Sequence, residues 1–431
     1  MKALSCVCQV SVATLLLALA PSCVWAVETE ISVFGTLGYA RSSSGMRYLR
    51  DIDRRGTLRQ DSRLGLQADV ALAPEWSATA QVQVASKPDA DSGYSARLAW
   101  AFLAWRPNND WLLRAGRFRV PLYMHSQTLD LDVASPFARA PREMYSVSPT
   151  DDFSGVYVSR TFNWSGAEWT LDGIAGSAHS TYRTWTREGI PGFFDAGASY
   201  TGVNIDIVGA AITRNTSSTI LRASAFRART DFGGRRVPAS LPFVQLAPGV
   251  GFYIVDAAFG PVPTVDSVHN TVLSVGAEWK VTPAWRLSTE FFSNRQHDMD
   301  LGANLYGGYA SVAYRSGAWA PYAYLARVKM REPQGSLYTA LTHPTLPPTA
   351  FPGAAQLVTA QRITGDAGIF SFDQRTLALG TSWSITPRSM LKLEWSRTRV
   401  GRGSRFLDVP AGQDAGGARF SLISVNYSFL Y

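Results

Sequence analysis

The chain has 431 residues, with 41 Lys and Arg against 33 Asp and Glu, and only 17% of its residues are charged. That fraction is low against the roughly 25% of ordinary soluble domains, whereas 12% aromatic residues are far too many for a disordered chain. The modest glycine and cysteine contents exclude collagen-like and disulfide-rich scaffolds.

The first 26 residues are typical of a secretory signal peptide. Lys2 supplies the positive start, Val12 to Ala20 forms a short apolar stretch, and Val24 to Ala26 resembles a small-residue cleavage site. The alternative is a lipoprotein signal. Cleavage leaves residues 27–431 with a formal charge of +8 − 1 = +7, and removes every cysteine of the chain, namely Cys6, Cys8 and Cys23. Disulfide and cysteine–metal chemistry are therefore excluded from the expected mature protein.

After the signal, no segment approaches the roughly 18 consecutive apolar residues that a transmembrane helix needs. Instead, apolar side chains occupy alternate positions in stretches of about ten residues, the pattern of strands with one face in lipid and one facing a polar interior. We predict sixteen such strands, at Ile31–Ala40, Leu64–Leu72, Ala78–Val84, Ala96–Arg106, Trp111–Arg119, Gly155–Phe162, Glu168–Gly176, Ala198–Ile212, Thr219–Ala228, Thr271–Lys280, Trp285–Asn294, Leu305–Arg315, Trp319–Lys329, Arg375–Ser384, Met390–Arg399 and Arg419–Tyr431.

An even number of strands, joined alternately by tight turns and long connections, is typical of an all-β, transmembrane antiparallel β-barrel. We expect short periplasmic turns and long extracellular loops near 41–58, 86–95, 120–153, 177–197, 229–270, 295–304, 330–369 and 400–418. Ten Trp residues near the turns favour a membrane-interface girdle, although aromatic residues could also fill the core of a soluble sandwich.

The last strand presents one apolar face and ends on Tyr431, as closing strands of outer-membrane proteins do. Together with SRLGLQADV at 62–70 and AGRFRVPL at 115–122, this strand makes the chain resemble the sixteen-stranded outer-membrane porins of Gram-negative bacteria, loosely the phosphate-selective and related ones. The resemblance implies a homotrimer in the outer membrane and a third loop, 120–153, that folds inward as the constriction. The acidic PEFGG-like motif and the lysine array of phosphate porins are not found.

Strand parity and the third loop supply candidate pore residues. With Leu98, Trp100 and Phe102 facing outward, Arg97 faces the lumen, and similar reasoning applies to the other strands. Arg222 shares its parity with Phe226, which predicts either a bulge or an interfacial position. The candidate pore-lining and constriction residues are Arg63, Arg97, Arg117, Arg119, His125, Asp130, Asp132, Arg139, Arg142, Glu143, Arg222 and Arg327. Each arginine taken singly could also be a solvated wall residue.

These residues predict a porin for passive diffusion of small hydrophilic solutes, leaning to anions or acidic organic compounds, because a basic wall concentrates anions. Asp130, Asp132 and Glu143 could form an opposing acidic side. The alternative is a non-conducting barrel that acts as an adhesin or binds a partner through loops 229–270 and 330–369. A lumen of small and polar side chains, such as Gln81, Gln83, Ser274 and Ser424, favours the channel.

The remaining patterns indicate no enzyme, cofactor, metal site or nucleic-acid partner. Nucleophile-elbow, zinc-protease, P-loop and dinucleotide motifs are not found in the sequence. The first loop carries six arginines that could meet acidic lipopolysaccharide or lie over the pore mouth, namely Arg41, Arg47, Arg50, Arg54, Arg55 and Arg59.

Overall fold

The computed structural model describes residues 28–148, 152–191 and 195–431. The expected signal peptide at 1–26, and Pro149 with the two residues that follow it in the predicted third loop, lie outside the described residues. Sixteen strands form one barrel: β1 Glu28–Ser42, β2 Arg63–Ala73, β3 Trp76–Ser86, β4 Tyr94–Asn108, β5 Trp111–Arg119, β6 Asp152–Trp164, β7 Ala167–Thr186, β8 Gly197–Asn215, β9 Thr219–Asp231, β10 Ser267–Lys280, β11 Trp285–His297, β12 Leu305–Tyr314, β13 Trp319–Met330, β14 Phe372–Thr386, β15 Ser389–Ser404 and β16 Arg419–Leu430.

The barrel closes through the pairing of its first and last strands. Each strand pairs antiparallel with its neighbours in sequence, and β1 pairs with both β2 and β16, with Phe34 opposite Gly65 and Leu430. Closure removes the exposed strand edges that an open sheet would present. The predicted sixteen-stranded antiparallel barrel is confirmed.

The connections differ in length between the two ends of the barrel. At one end the turns have two to four residues, whereas the long connections begin and end at the other end of the barrel. Within the described residues these connections contain three α-helices, α1 Arg142–Tyr145, α2 Gln334–Thr342 and α3 Ala354–Ile363. The prediction of a loop over 177–197 is wrong for residues 177–186, because β7 continues to Thr186 and pairs with β8 up to Gly197. Within the described residues, no helix is long and apolar enough to cross a membrane.

Tryptophans cluster on the outer face of the barrel at the short-turn end. Trp319 stacks on Trp383 with ring centroids 5.4 Å apart, and Trp76 stacks on Trp105 at 5.8 Å. Above these rings, the outward positions of the strands are exposed aliphatic residues. An apolar band bordered by indole rings is the arrangement that a lipid-facing barrel wall requires.

A row of glycines crosses three neighbouring strands. Gly116 pairs with Gly155, and Gly155 pairs with Gly176. A Cβ atom at any of the three would overlap the backbone of an adjacent strand. The row therefore lets the three strands approach one another more closely than side chains would allow. Just after Gly116 in β5, Phe118 and Arg119 are both buried although they are consecutive residues.

We predict that Gly155→Val destabilises the barrel by roughly 1–3 kcal/mol, because the new side chain would overlap the Ala175 carbonyl. Gly173→Val is the matched control, since nothing lies within 4 Å of a Cβ at that position on the same sheet. Urea titration of the refolded protein, followed by heat-modifiable electrophoretic mobility, would measure the difference. Equal stabilities for the two variants would contradict the proposed role of the glycine row.

Candidate functional site

Residues 121–148, which we name the inward segment, lie inside the barrel. The segment bonds to strands on opposite sides of the wall. The Leu122 carbonyl accepts from Ser224 of β9 at 3.0 Å, while the Ala138 carbonyl accepts from Asn426 of β16 at 2.6 Å. The hydroxyl of Thr36 on β1 donates to Asp132 at 2.5 Å. A segment can reach all these strands of a closed barrel only through its interior.

One side of the interior is packed with tyrosines and buried carboxylates. Glu290 of β11 accepts hydrogen bonds from Tyr309 at 2.9 Å and from Tyr145 of the inward segment. Glu394 of β15 accepts from Tyr322 at 2.8 Å. Each buried carboxylate is thereby provided with hydroxyl donors, which offsets the cost of its desolvation. We name this side the tyrosine wall.

The tyrosine wall corrects the expectation of a lumen lined with small polar side chains. Phe137 of the inward segment packs edge-on against Tyr322 and Tyr324, with centroids 5.2 and 5.4 Å away. Ser424 of β16, one of the predicted small polar positions, is only 1% exposed. Large side chains therefore fill this part of the cross-section and leave solvent only elsewhere.

The opposite side of the interior contains a cavity of about 640 Å³ with a strongly basic lining. We name it the arginine cavity. Ten basic and four acidic side chains line it: Arg50, Arg63, Lys87, Arg97, Arg117, Arg119, Arg139, Arg142, Arg183 and Arg405, against Asp61, Asp130, Asp132 and Asp152. The surplus of fixed positive charge gives the cavity a positive potential, because the surrounding protein screens charges less than bulk water does.

Two aspartates fix the inward segment to the cavity wall. Asp61 pairs with Arg139, both side chains being 4% exposed, and with Arg142 at 3.3 Å. Asp130 accepts from Arg119 at 2.6 Å and from Arg63 at 2.9 Å. These bonds join the segment to β2, to the connection before it, and to β5.

The arginines also keep these carboxylates ionised. Burial alone would raise the pKa of Asp130, but Arg119 and Arg63 outweigh burial and lower it to about 2. Burial likewise opposes ionisation of Asp61, and Arg139 with Arg142 holds its pKa below the ordinary value. Both groups therefore carry a full negative charge at neutral pH and neutralise part of the basic lining.

Other arginines of the cavity have partners that leave their charge available. Arg97 donates to the amide oxygen of Gln83 at 2.7 Å, not to a carboxylate. Arg405 donates to the Tyr182 hydroxyl and lies 4.6 Å from the centre of its ring. Arg117 forms only a long ion pair with Asp152, at 3.8 Å, and its side chain is 36% exposed. These guanidinium groups can bond a carboxylate or phosphate that enters the cavity.

The structure brings most of the predicted site residues together and separates four others. The arginine cavity contains Arg63, Arg97, Arg117, Arg119, Asp130, Asp132, Arg139 and Arg142. Four predicted residues do not line it, namely His125, Glu143, Arg222 and Arg327.

Two of the four hold the inward segment instead. Glu143 is buried against β14, where it accepts from Gln374 at 2.6 Å and from Thr376. Burial raises the pKa of Glu143, and the hydrogen bonds from Thr376 and Gln374 only partly oppose that rise. Arg222 donates to the Pro121 carbonyl at 3.0 Å and to Asp172 at 3.2 Å. Both side chains therefore position the segment.

The assignment of Arg327 to the lumen is wrong. Tyr322 and Tyr324 of β13 are buried inside the barrel, so the alternate residues of this strand face outward. Arg327 is exposed and shares the outer face with Leu325, which is 57% exposed. His125 stands in the inward segment, half-buried and outside the arginine cavity.

Two further parity arguments fail for local reasons. In β4, the pairing with β3 shifts register at Ala99, so Trp100 and Phe102 turn inward, and Phe102 packs edge-on against Phe118 at 6.1 Å. In β9 no bulge intervenes. Phe226 faces inward together with Arg222, because the facing residue Gly209 leaves room for the ring.

The list of predicted site residues does not include four basic residues of the cavity. Arg50, Lys87 and Arg405 lie in or beside long connections, and Arg183 lies in the extension of β7 that was predicted as a loop. Arg183 pairs with Asp91 at 2.7 Å and Asp408 at 2.7 Å. Such pairs join distant parts of the chain, so no local pattern points to them.

No family model matches the chain, and no curated protein matches it. Among solved structures, the chain is similar to the anion-selective porin from Comamonas acidovorans, with a TM-score of 0.51, 12% identity and coverage of 94% of this chain and 100% of that one. It is also similar to outer-membrane expressed OmpT of Vibrio cholerae, with a TM-score of 0.51, 10% identity and coverage of 93% and 98%. These similarities confirm the porin fold.

We predict that Asp61→Asn loosens the inward segment and lowers stability by roughly 3 kcal/mol or more, because Arg139 would remain buried without its carboxylate. Asp53→Asn is the matched control. Its partner Arg55 is 86% exposed, so we expect no measurable change. Limited proteolysis of the folded protein and urea unfolding would measure both effects. Identical cleavage of the inward segment in the two variants would refute this anchoring role.

Proposed function

We propose that the protein is a porin of a Gram-negative outer membrane, exported by the signal peptide at 1–26, that passes small hydrophilic solutes by passive diffusion and favours anions. One observation carries the proposal: inside a closed barrel of porin fold, the arginine cavity lies beside the inward segment. Small anions and acidic organic compounds are the solutes whose charge suits this lining.

The selectivity follows from the distribution of charge across the barrel. The tyrosine wall occupies one side, so a solute that crosses the barrel must pass along the arginine side. There the carboxylates of Asp130 and Asp61 are already engaged, Asp130 with Arg63 and Arg119 and Asp61 with Arg139. The positive surplus therefore remains with groups such as Arg97 and Arg117, which we propose as part of the constriction together with Asp130.

Two features support this assignment without belonging to the cavity. The similar Comamonas protein is described as an anion-selective porin. The band of outward aliphatic residues, bordered by stacked tryptophans, suits insertion in a bilayer with the short turns toward the periplasm. Assembly into a homotrimer is part of the proposal and rests on the resemblance to porins.

A second candidate function is the binding of a partner by the long connections. The hairpin Phe243–Ala247 with Val250–Tyr253 is supported by a small apolar core around Phe252 and Leu357. At this hairpin, Phe243 is 52% exposed and Leu246 is 49% exposed. Exposed apolar groups on an ordered hairpin are typical of an interaction surface.

We expect the refolded protein to give discrete current steps in a planar bilayer under a KCl gradient, with a reversal potential of the sign for chloride preference. The reason is the positive surplus of the arginine cavity. A folded but silent barrel would reject the porin proposal and favour the partner-binding candidate. Current steps whose reversal potential has the sign for potassium preference would support the pore proposal and contradict the anion preference.

We predict that the double variant Arg97→Gln, Arg117→Gln lowers the chloride-to-potassium permeability ratio several-fold, because two charges of the cavity lining are lost. The matched control is Arg160→Gln, Arg227→Gln, which removes the same charge from exposed positions outside the cavity. Reversal potentials of the two variants would be compared at equal ionic strength. A similar loss of selectivity in both would show that total charge matters and that the cavity does not.

A further inference from the structure

Four arginines stand side by side on the outer face of the barrel. Arg327 of β13 pairs with Arg375 of β14, Arg375 pairs with Arg399 of β15, and Arg399 pairs with Arg419 of β16. All four are exposed. We name them the outer arginine row. At about 4.8 Å between strands, the row is roughly 14 Å long.

The row has no counter-charge of its own. Within the described part of the chain, none of its members forms an ion pair. Toward the loops, Asp373 accepts from the Arg402 backbone at 3.1 Å, and Glu332 pairs with the Arg402 side chain at 2.5 Å, so neither carboxylate forms an ion pair with the row. Like charges directly opposite one another on neighbouring strands destabilise a sheet unless an anion lies between them.

The height of the row places it at a membrane boundary. Arg327 lies eight residues from Trp319, and Arg375 eight residues from Trp383, in the stacked tryptophan pair of the short-turn end. Eight residues span about 26 Å along a strand, or about 20 Å along the normal of a tilted barrel. Exposed Leu325 and Leu377 lie between these levels. The row therefore lies at the far edge of the apolar band.

We propose that the outer arginine row binds the phosphates of a bisphosphorylated glycolipid of the outer leaflet, of the lipopolysaccharide type. The inference rests on the proposed placement of the barrel in the outer membrane. Guanidinium groups bond phosphate oxygens in pairs, and a row of four can hold two phosphates of one headgroup. Below the row, exposed Leu325, Leu377 and Ile423 can contact the acyl chains of the same molecule.

The first-loop arginines are less suited to this lipid, although the sequence suggested them. Arg47 pairs with Asp408 at 3.4 Å, Arg55 with Asp53 at 2.8 Å and Arg59 with Asp51 at 3.0 Å. Arg50 lines the arginine cavity. The charges of these four arginines are therefore paired within the connections or lie inside the barrel, whereas the charges of the outer row face outward without an ion pair.

The test is a titration of the refolded full chain, in neutral detergent, with bisphosphorylated lipid A, with binding measured by native mass spectrometry. The test variant carries Arg→Gln at 327, 375, 399 and 419. The control variant carries Arg→Gln at four exposed positions near the short turns, 106, 160, 315 and 388. We expect at least a tenfold loss of affinity in the test variant and less than a twofold change in the control. Folding of each variant is checked by electrophoretic mobility. If the fourfold test variant does not fold, the double variant Arg375→Gln, Arg399→Gln replaces it.

Two further measurements distinguish lipid phosphate from free inorganic phosphate, and the lipid-site proposal from the porin proposal. Lipid A without phosphates should bind at least tenfold more weakly than the bisphosphorylated form, and inorganic phosphate at equal concentration should not displace it. Equal affinity of the test and control variants, or displacement by inorganic phosphate, would overturn the lipid site. The single-channel conductance of the test variant should equal that of the wild type, so a failed lipid site and a failed porin proposal give different results.

Discussion

Closure of the hydrogen-bonded wall is the constraint on which the rest of this structure depends. A bilayer offers no water to unpaired backbone groups, so a strand can cross it only when both of its edges are bonded. The pairing of β1 with β16 satisfies the last two edges. Closure also creates an interior that sixteen strands make too wide for their own side chains to fill. The chain must then either leave water there or insert another segment.

The inward segment fills the interior of the barrel on one side only. Its aromatic residues and Glu143 pack against β11 to β15, where tyrosine hydroxyls provide donors for buried carboxylates. On the other side its aspartates meet arginines, and those arginines outnumber them. One segment therefore both narrows the barrel and sets the sign of the potential in what remains. Alternation of side chains along the strands directs some arginines, such as Arg97, into this interior and others, such as Arg375, to the outer arginine row.

Departures from strict alternation are concentrated where the cavity forms. The register shift at Ala99 turns Trp100 and Phe102 inward, and the glycine row allows Phe118 and Arg119 to be buried together. Both devices act on β4 to β7, the strands that face the arginine cavity. The wall is thus locally reshaped at the place where the inward segment begins, which explains why strand parity failed for Trp100 and Phe102.

The sequence by itself determined the number of strands, their order, the closed barrel and the class of candidate residues. Period-two alternation and turn chemistry are local properties, so Leu64 to Leu72 or Trp285 to Asn294 could be assigned without knowledge of the rest of the chain. Only the tertiary structure decided which basic groups meet. Arg327 does not belong to the site because packing decides which face of a strand points inward, and here Tyr322 and Tyr324 pack inside the barrel. Arg183 lines the cavity because ion pairs with Asp91 and Asp408 hold it there. Contacts between residues far apart in the chain arise when the barrel closes and its connections fold over it, and no local pattern records them.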